Sequence, residues 1–177
     1  KKEGDLVVLL GVNTDELGGS AYLKEVLDIE GGPAPRLNLD EELKVQACCL
    51  EAIKQGLVSS AHDISDGGLA VALAECCIAG QLGFEGEIES EVRPDALLFG
   101  EAQSRIIVSL VEEKLPELKK LAEEMNVKVS VLGTVKSDKN LNISVKTKGQ
   151  VAGIIDVSID EIAEISNNAI KRRVEYV

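Results

Sequence analysis

The stretch Ala61–Glu75, AHDISDGGLAVALAE, decides how this 177-residue sequence folds. Its first half is rich in polar residues and its second half is apolar with helical spacing. A short β-prone segment, 57–60, precedes it, and its apolar second half continues as a helical pattern that ends at Gly80. Two adjacent glycines, Gly67 and Gly68, stand at the change of pattern. The stretch therefore predicts a strand, a tight turn and a helix in succession.

Segments on both sides of this turn alternate between strand and helix patterns. Continuous apolar runs predict buried strands at Asp5–Gly11 and Arg105–Val111. Weaker or alternating patterns predict strands at 57–60, 82–88, 127–135, 141–145 and 151–157. Helices are predicted at 20–27, 38–55, 69–79, 112–125 and 158–171, with Asn38 and Ser158 as N-caps. The mixture predicts an α+β fold, in which helices pack on one face of a mixed β-sheet.

The composition restricts the functions that such a fold can have. Hydrophobic residues make up 45% of the chain and aromatic residues only 2%, so the core is aliphatic and no aromatic platform for stacked bases is present. A formal net charge of −12 argues against nucleic acid as a partner, because binding the phosphate backbone needs surplus Lys and Arg. No apolar run approaches the roughly 18 residues of a membrane span. We therefore expect neither nucleic acid nor membrane as a partner.

The four cysteines form two adjacent pairs, Cys48–Cys49 and Cys76–Cys77, in Ala- and Leu-rich helical sequence. A structural zinc site needs two to four residues between paired ligands, so we interpret these cysteines as small core residues. Reduced thiols predict a cytoplasmic location. The first residue is Lys, and we expect residues 1–177 to form a single domain excised from a longer polypeptide.

The turn before the second strong helix combines groups that suit an anion and a metal. Backbone N–H groups at a helix N-terminus favour phosphate, and Gly67 and Gly68 let a ligand approach the backbone. Carboxylates beside phosphate require a cation such as Mg²⁺, which Asp63 or Asp66 would hold. Alternatively, Ser65 or Asp66 simply caps the helix and the glycines form a turn. The residues alone leave both interpretations open.

Three further features are weaker candidates. His62 is the only histidine, and without a Ser/His/Asp arrangement around it we expect a supporting and not a catalytic role. A second glycine pair, Gly18–Gly19, precedes Ser20, and predicts either an anion site or a loop with a serine cap. Residues 99–105 place Glu101, Gln103 and Arg105 just before a buried strand. Arg105 is expected to pair with Glu101 or with a ligand phosphate.

Four segments, in order along the chain, give the sequence a resemblance to a known family. They are Leu10–Gly11 followed by ELGGSAY (16–22), AHDISDGGLAVALAE (61–75), LFGEAQSR (98–105) and LGTV (132–135). Together they closely resemble the carboxy-terminal domain of the second half of phosphoribosylformylglycinamidine synthases, within the aminoimidazole ribonucleotide synthetase-like superfamily. The resemblance spans essentially the whole chain. Ala102 departs from it, because Ser is commoner there.

The resemblance implies an aminoimidazole ribonucleotide synthetase carboxy-terminal-domain-like fold whose ATP-binding amino-terminal partner domain is absent from this chain. It implies a carbon–nitrogen ligase of purine biosynthesis that uses ATP, Mg²⁺ and glutamine-derived ammonia to amidate formylglycinamide ribonucleotide. The implied partners are the remaining domains of the enzyme, a glutaminase subunit or domain, and a small accessory subunit. Asp63 would contact the metal, while phosphate or substrate would meet Ser65, Asp66, Gly67 and Gly68. Further contacts would come from Gly18, Gly19, Ser20, Glu101, Gln103 and Arg105.

Two other functions stay open on the sequence. One is a structural domain of the same enzyme that holds a nucleotide or serves assembly, since the family's enzyme is internally duplicated. The other is a kinase of the thiamin-phosphate type, which carries an SDG-like motif. The ELGGS and LFGEAQSR segments favour the synthase family over this kinase.

Overall fold

A computed structural model of the chain describes the backbone of residues 1–175, and their side chains except those of 170–173 and 175. In this range the strands are β1 (Leu6–Leu10), β2 (Ser60–Asp63), β3 (Gly83–Glu89), β4 (Ile106–Leu110), β5 (Val129–Lys136), β6 (Asn140–Thr147) and β7 (Gln150–Ser158). The helices are α1 (Ala21–Leu27), α2 (Leu39–Lys54), α3 (Gly68–Gly80), α4 (Pro94–Phe99), α5 (Leu115–Glu124) and α6 (Ile159–Glu175).

All seven strands form one sheet in the order β2-β4-β1-β5-β3-β6-β7. The neighbouring strands are antiparallel except β3 and β6, which are parallel, so the predicted mixed sheet is confirmed. Strand β1 lies inside the sheet, between two strands from the second half of the chain. Its Val8 pairs with Val108 of β4 on one side and with Val131 of β5 on the other.

The sheet carries helices on both faces at its β4–β1 part. Val7 and Leu9 of β1 belong to a core with residues of α3, α4 and α6, while Val8 and Leu10 belong to a second core with residues of α2 and α5. The α+β class is confirmed, and the expected helix layer on one face is joined by a second layer on the other. The reason lies in the sequence of β1, LVVLL, because a strand with no polar position must be covered on both sides.

Most of the predicted elements occur, with shifts at their ends. The strand expected at 57–60 instead covers Ser60–Asp63, because pairing with β4 sets Ala61 opposite Val108. The segment before Gly100 forms helix α4, with Pro94 in its first turn, where a proline costs no hydrogen bond. A 3₁₀ turn, Glu112–Lys114, precedes α5. Asn38 caps α2 as expected, since its Oδ1 accepts from the Asp40 and Glu41 N–H groups.

The cysteines are packing residues, as the sequence predicted. All four are free thiols, with Cys48, Cys49 and Cys77 buried and Cys76 half-buried. Burial raises the pKa of the Cys77 thiol to about 11, so this thiol stays protonated and unreactive at neutral pH. Within the described residues, no helix combines the length and the apolar character needed to cross a membrane.

Candidate functional site

The three glycine-containing segments that the sequence singled out meet at one carboxylate, that of Glu101. Its Oε1 accepts a hydrogen bond from the Gly67 N–H at 2.8 Å and another from the Ala21 N–H at 2.8 Å. Gly67 is the N-cap of α3 and Ala21 is the first residue of α1. One negatively charged oxygen therefore stands at the positive ends of two helices, where the helix dipole favours an anion.

The glycines of the SDGG turn are required by the backbone and by close packing. Gly67 and Gly68 have φ values of +81° and +72°, in the left-handed region. A Cβ on Gly68 would lie 2.6 Å from the Gly100 carbonyl oxygen and 2.8 Å from the Phe99 carbonyl carbon. The turn closes with the Gly68 N–H donating to the Ser65 carbonyl oxygen at 3.0 Å. Gly68 therefore lets α3 begin directly against the end of α4.

The glycines form the turn that the alternative interpretation expected, but neither Ser65 nor Asp66 caps α3. The N-cap of α3 is Gly67, which has no side chain, and its N–H donates to Glu101. Ser65 instead donates from its hydroxyl to Asp63 Oδ2 at 2.6 Å, and the Asp66 side chain is exposed. Ser65 and Asp66 are thus both exposed at the surface of the turn, where a ligand could reach them. Ser65 also keeps its hydrogen bond to Asp63.

Asp63 ends strand β2 and carries an ionised, exposed carboxylate. The hydrogen bond from Ser65 is the main cause that lowers the pKa of Asp63 below its ordinary value, and 72% of the side chain is exposed. His62 lies next to it, with Nδ1 3.6 Å from Asp63 Oδ1 and Nε2 3.1 Å from Glu75 Oε2. The histidine therefore links β2 to α3, and its supporting role in the site stays a prediction.

A single carboxylate of this kind fits only one way of holding Mg²⁺. Within the part of the chain that the structure describes, no three His, Cys, Asp or Glu side chains come together as a metal site. Mg²⁺ often keeps several waters and binds through one or two carboxylates together with phosphate oxygens. Asp63 fits that mode, in which substrate phosphate supplies further ligands, and does not fit a metal site made by this chain alone.

The second glycine pair forms a loop with a serine cap. Ser20 is buried, and its Oγ accepts from the Leu23 N–H at 3.3 Å, which caps α1. A Cβ on Gly18 would lie 1.9 Å from the Pro33 carbonyl oxygen. The Gly19 N–H donates to the Gly31 carbonyl oxygen at 2.9 Å. The polar groups of this pair are thus used inside the protein, against the loop around residues 31–33.

Arg105 is buried and does not form the ion pair with Glu101 that was one of the two pairings expected for it. Its Nε donates to the Ala102 carbonyl oxygen at 3.0 Å, and Nη2 donates to the Gly100 carbonyl oxygen at 2.6 Å. Nη1 donates to Asn13 Oδ1 at 3.1 Å. Among the described side chains no carboxylate lies within 4 Å of it, and burial lowers its pKa to about 10. Arg105 therefore holds the 100–105 loop in shape.

The same loop borders an open cleft of about 950 Å³. Gln103 and Ser104 line it together with Glu16, Asn38 and Lys128, and none of residues 61–68 does so. Gln103 is exposed, and its amide donates to the Glu101 carbonyl oxygen at 3.4 Å. The exposed turn with Asp63 and this cleft are thus two separate surfaces, which meet at the segment around Glu101.

Sequence reasoning missed two residues that organise the loop. Asn13 accepts from Arg105, which is 92 positions away, and Glu42 Oε2 accepts from the Ser104 hydroxyl, 62 positions away, at 2.6 Å. Neither residue belongs to a motif. No local pattern in the sequence indicates contacts over such separations.

Comparisons with known proteins identify relatives of this chain. Residues 2–146 match the family described as AIR synthase related protein, C-terminal domain. The phosphoribosylformylglycinamidine synthase subunit PurL of Moorella thermoacetica is 47% identical over 133 residues, which are 75% of this chain and 18% of that protein. The corresponding subunit of Alkaliphilus metalliredigens is 39% identical over 171 residues, 97% of this chain and 22% of that protein. The chain thus spans about a fifth of the length of the curated relatives that it matches.

A solved structure supports the fold. The structure of "T. maritima PurL complexed with ATP" matches with a TM-score of 0.70 and 21% identity, over 92% of this chain and 26% of that one.

Proposed function

Because the chain belongs to the family of AIR synthase related proteins, whose C-terminal domain it matches over residues 2–146, we propose that it is the carboxy-terminal domain of a phosphoribosylformylglycinamidine synthase subunit. The observation that carries the proposal is 39% identity to one such subunit over 97% of the chain. In this proposal the whole enzyme uses ATP and glutamine-derived ammonia to amidate formylglycinamide ribonucleotide.

The exposed turn after β2 is the part of this chain that meets ligand in our proposal. Asp63 would hold Mg²⁺, which screens the charge between that carboxylate and a phosphate group of nucleotide or substrate. Ser65 keeps Asp63 ionised and oriented through its 2.6 Å hydrogen bond. The exposed side chains of Ser65 and Asp66 complete the surface offered to the ligand, while the Gly67 N–H already donates to Glu101. The bound magnesium would supply charge neutralisation during phosphoryl transfer.

A segment exchange tests the proposed function. The region of a curated relative that matches this chain is replaced by residues 1–177, and the hybrid is placed in a bacterial strain that lacks its own synthase. Growth without added purine, together with amidine formation by the purified hybrid, would support the proposal. A folded hybrid that binds its partner subunits but forms no amidine would reject it.

Replacing Asp63 with asparagine in the full-length enzyme is expected to weaken Mg²⁺-dependent binding of nucleotide or substrate about tenfold, or roughly 1.4 kcal/mol. Asparagine retains an oxygen that accepts from Ser65 but has no charge for the metal. Calorimetric titration with nucleotide, with and without Mg²⁺, measures the effect. Asp156→Asn, an exposed aspartate on β7, serves as the control. Wild-type affinity and turnover in Asp63→Asn would contradict the assignment.

We also propose partners and location from the family. The remaining domains of the enzyme, a glutaminase subunit or domain and a small accessory subunit would assemble with this domain. The cytoplasm is the expected location, and the four free thiols support it.

A structural nucleotide-holding or assembly domain of the same enzyme is the second candidate. The observation that favours it is the internal use of the motif groups, since Glu101, Ser20 and Arg105 all bind other parts of the chain. Under this alternative, Asp63→Asn would leave turnover unchanged and would reduce the amount of assembled enzyme. Kinetics and sizing of the same variant separate the two functions.

The purified 177-residue chain is expected to hydrolyse no ATP, because it contributes one side of a composite site. Phosphate release above the buffer background, abolished by Asp63→Asn, would contradict this expectation. Gly149→Ala, in the turn between β6 and β7, is the control for nonspecific effects of mutation.

A further inference from the structure

Helix α2 is apolar on two sides, and only one of them is used inside the protein. Val45, Cys48, Cys49 and Ala52 are buried in the core that α2 shares with β1, β4 and α5. On another side of the same helix, Leu39, Leu43, Leu50 and Ile53 are 65%, 65%, 57% and 49% exposed. We call this second side, with Gln46 in its middle, the outer seam of α2.

The outer seam has the spacing of a coiled-coil interface. Leu39, Leu43, Gln46, Leu50 and Ile53 follow one another at intervals of four, three, four and three residues. This alternation repeats every seven residues and forms a stripe that packs against a second helix. Large apolar side chains grouped on a protein surface mark an interaction site, whereas single ones do not. The occupant that fits the seam is therefore another helix with the same kind of stripe.

The charges beside the seam select the occupant and its direction. With 100° per residue, Asp40 and Lys54 lie on the same flank of the seam, close to opposite ends of the helix. In an antiparallel pair of identical helices, this flank of one helix faces the same flank of the other helix. Asp40 of each copy therefore lies opposite Lys54 of the other copy. A parallel pair would instead bring together the acidic first turns, which contain Asp40, Glu41 and Glu42. The seam is thus self-complementary only in the antiparallel direction.

From this pattern we propose that the chain forms a dimer in solution through antiparallel pairing of α2 with α2 of a second copy. Leu43 then packs near Ile53 of the second copy, and Leu50 near its Gln46. The two-fold axis crosses the seam halfway along these pairs, at the level of residue 48. A polar residue at one seam position fixes register and costs stability. This dimer does not depend on the proposed enzymatic function.

The size of the seam sets the strength of the dimer. Sixteen residues give a helix about 24 Å long, and one such helix pair buries less than the roughly 1,200 Å² of a stable interface. The dimer is therefore weak, with a dissociation constant on the order of tens of µM.

Sedimentation equilibrium of the 177-residue chain, from about 1 µM to several hundred µM, tests the dimer. Wild type is expected to pass from monomer to dimer across this range. Leu43→Glu and Leu50→Glu each place a charge in the seam and are expected to raise the dissociation constant more than tenfold. Both side chains are exposed, so circular dichroism should show an unchanged fold. Ile154→Glu, an equally exposed apolar position on β7, is the matched control and should dimerise like wild type.

Charge reversal tests the direction of the helices. Asp40→Lys and Lys54→Glu alone are expected to weaken the dimer severalfold at low salt, because each puts like charges opposite each other. The double variant Asp40→Lys/Lys54→Glu should recover most of the wild-type affinity. A wild-type chain that stays monomeric at every concentration overturns the proposal, and so does a dimer that Ile154→Glu disrupts and Leu43→Glu does not. A double variant weaker than both single variants overturns the antiparallel arrangement.

Discussion

Replacing Glu101 with alanine is expected to lower the free energy of unfolding of the chain by about 3 kcal/mol. The substitution removes the oxygen that accepts from the Gly67 and Ala21 N–H groups, each at 2.8 Å. Both donors then lack their charged partner at the beginning of a helix, where no other backbone group is positioned to replace it. Urea denaturation of wild type and variant, followed by circular dichroism, measures the difference.

Glu101→Gln is the matched control for this experiment. Its amide oxygen can accept from the same two N–H groups, so only the charge is lost, and we expect less than half of the destabilisation. If Glu101→Ala unfolds at the same urea concentration as wild type, Glu101 does not hold the two glycine segments together. If Glu101→Gln is as unstable as Glu101→Ala, the charge and not the hydrogen bonding is the important property.

Gly68→Ala is expected to destabilise the chain by about 4 kcal/mol, or to prevent folding, because two costs combine. The left-handed backbone at φ +72° costs an alanine about 1 kcal/mol. The added methyl group would also lie 2.6–2.9 Å from three backbone atoms of Leu98, Phe99 and Gly100. Backbone atoms at the end of α4 cannot move aside as a flexible side chain could, so α3 and α4 must separate.

Gly149→Ala separates these two costs. Gly149 has nearly the same φ, +73°, and a Cβ there meets no atom within 4 Å. We expect this variant to lose only about 1 kcal/mol. Equal loss of stability in Gly68→Ala and Gly149→Ala would show that close packing against α4 contributes nothing. Gly67, with φ +81° and a Cβ that would meet the Val71 side chain at 2.5 Å, is no more tolerant. Gly67→Val is therefore expected to reduce stability, so a loss of ligand binding in that variant would not show that Gly67 contacts the ligand.

The strand, turn and helix at Ala61–Glu75 could be predicted because their signals are local. An apolar run, a glycine pair and helical spacing each act over a few residues, and α3 begins at Gly68 as that pattern indicates. The second helix layer was not predicted, although the sequence of β1, LVVLL, has no polar position for a solvent-facing side. The pattern of apolar and polar residues along the chain indicates which positions are buried, and burial determines most of the fold.

The role of Glu101 could not be predicted, because its partners are remote. Ala21 is 80 positions away and Gly67 is 34 positions away. The sequence offered Glu101 as a ligand contact, and the free N–H groups at the beginning of α3 as a phosphate site. In the structure the carboxylate and the Gly67 N–H bind each other. A motif shows which groups suit an anion, while only the tertiary structure shows whether the chain supplies that anion itself.

The position of β1 in the sheet also determines when the sheet can form. Its partners are Ile106–Leu110 and Val129–Lys136. This interior strand is therefore synthesised before both of its neighbours, and more than half of the 177 residues separate it from β5. At roughly 10 residues per second, ribosomal synthesis separates β1 from β5 by about 12 seconds. During that time an apolar strand with two unpaired edges is exposed to other nascent chains and to chaperones. Because these contacts are distant in sequence, we expect folding of the sheet to be slow, with aggregation as its main competitor.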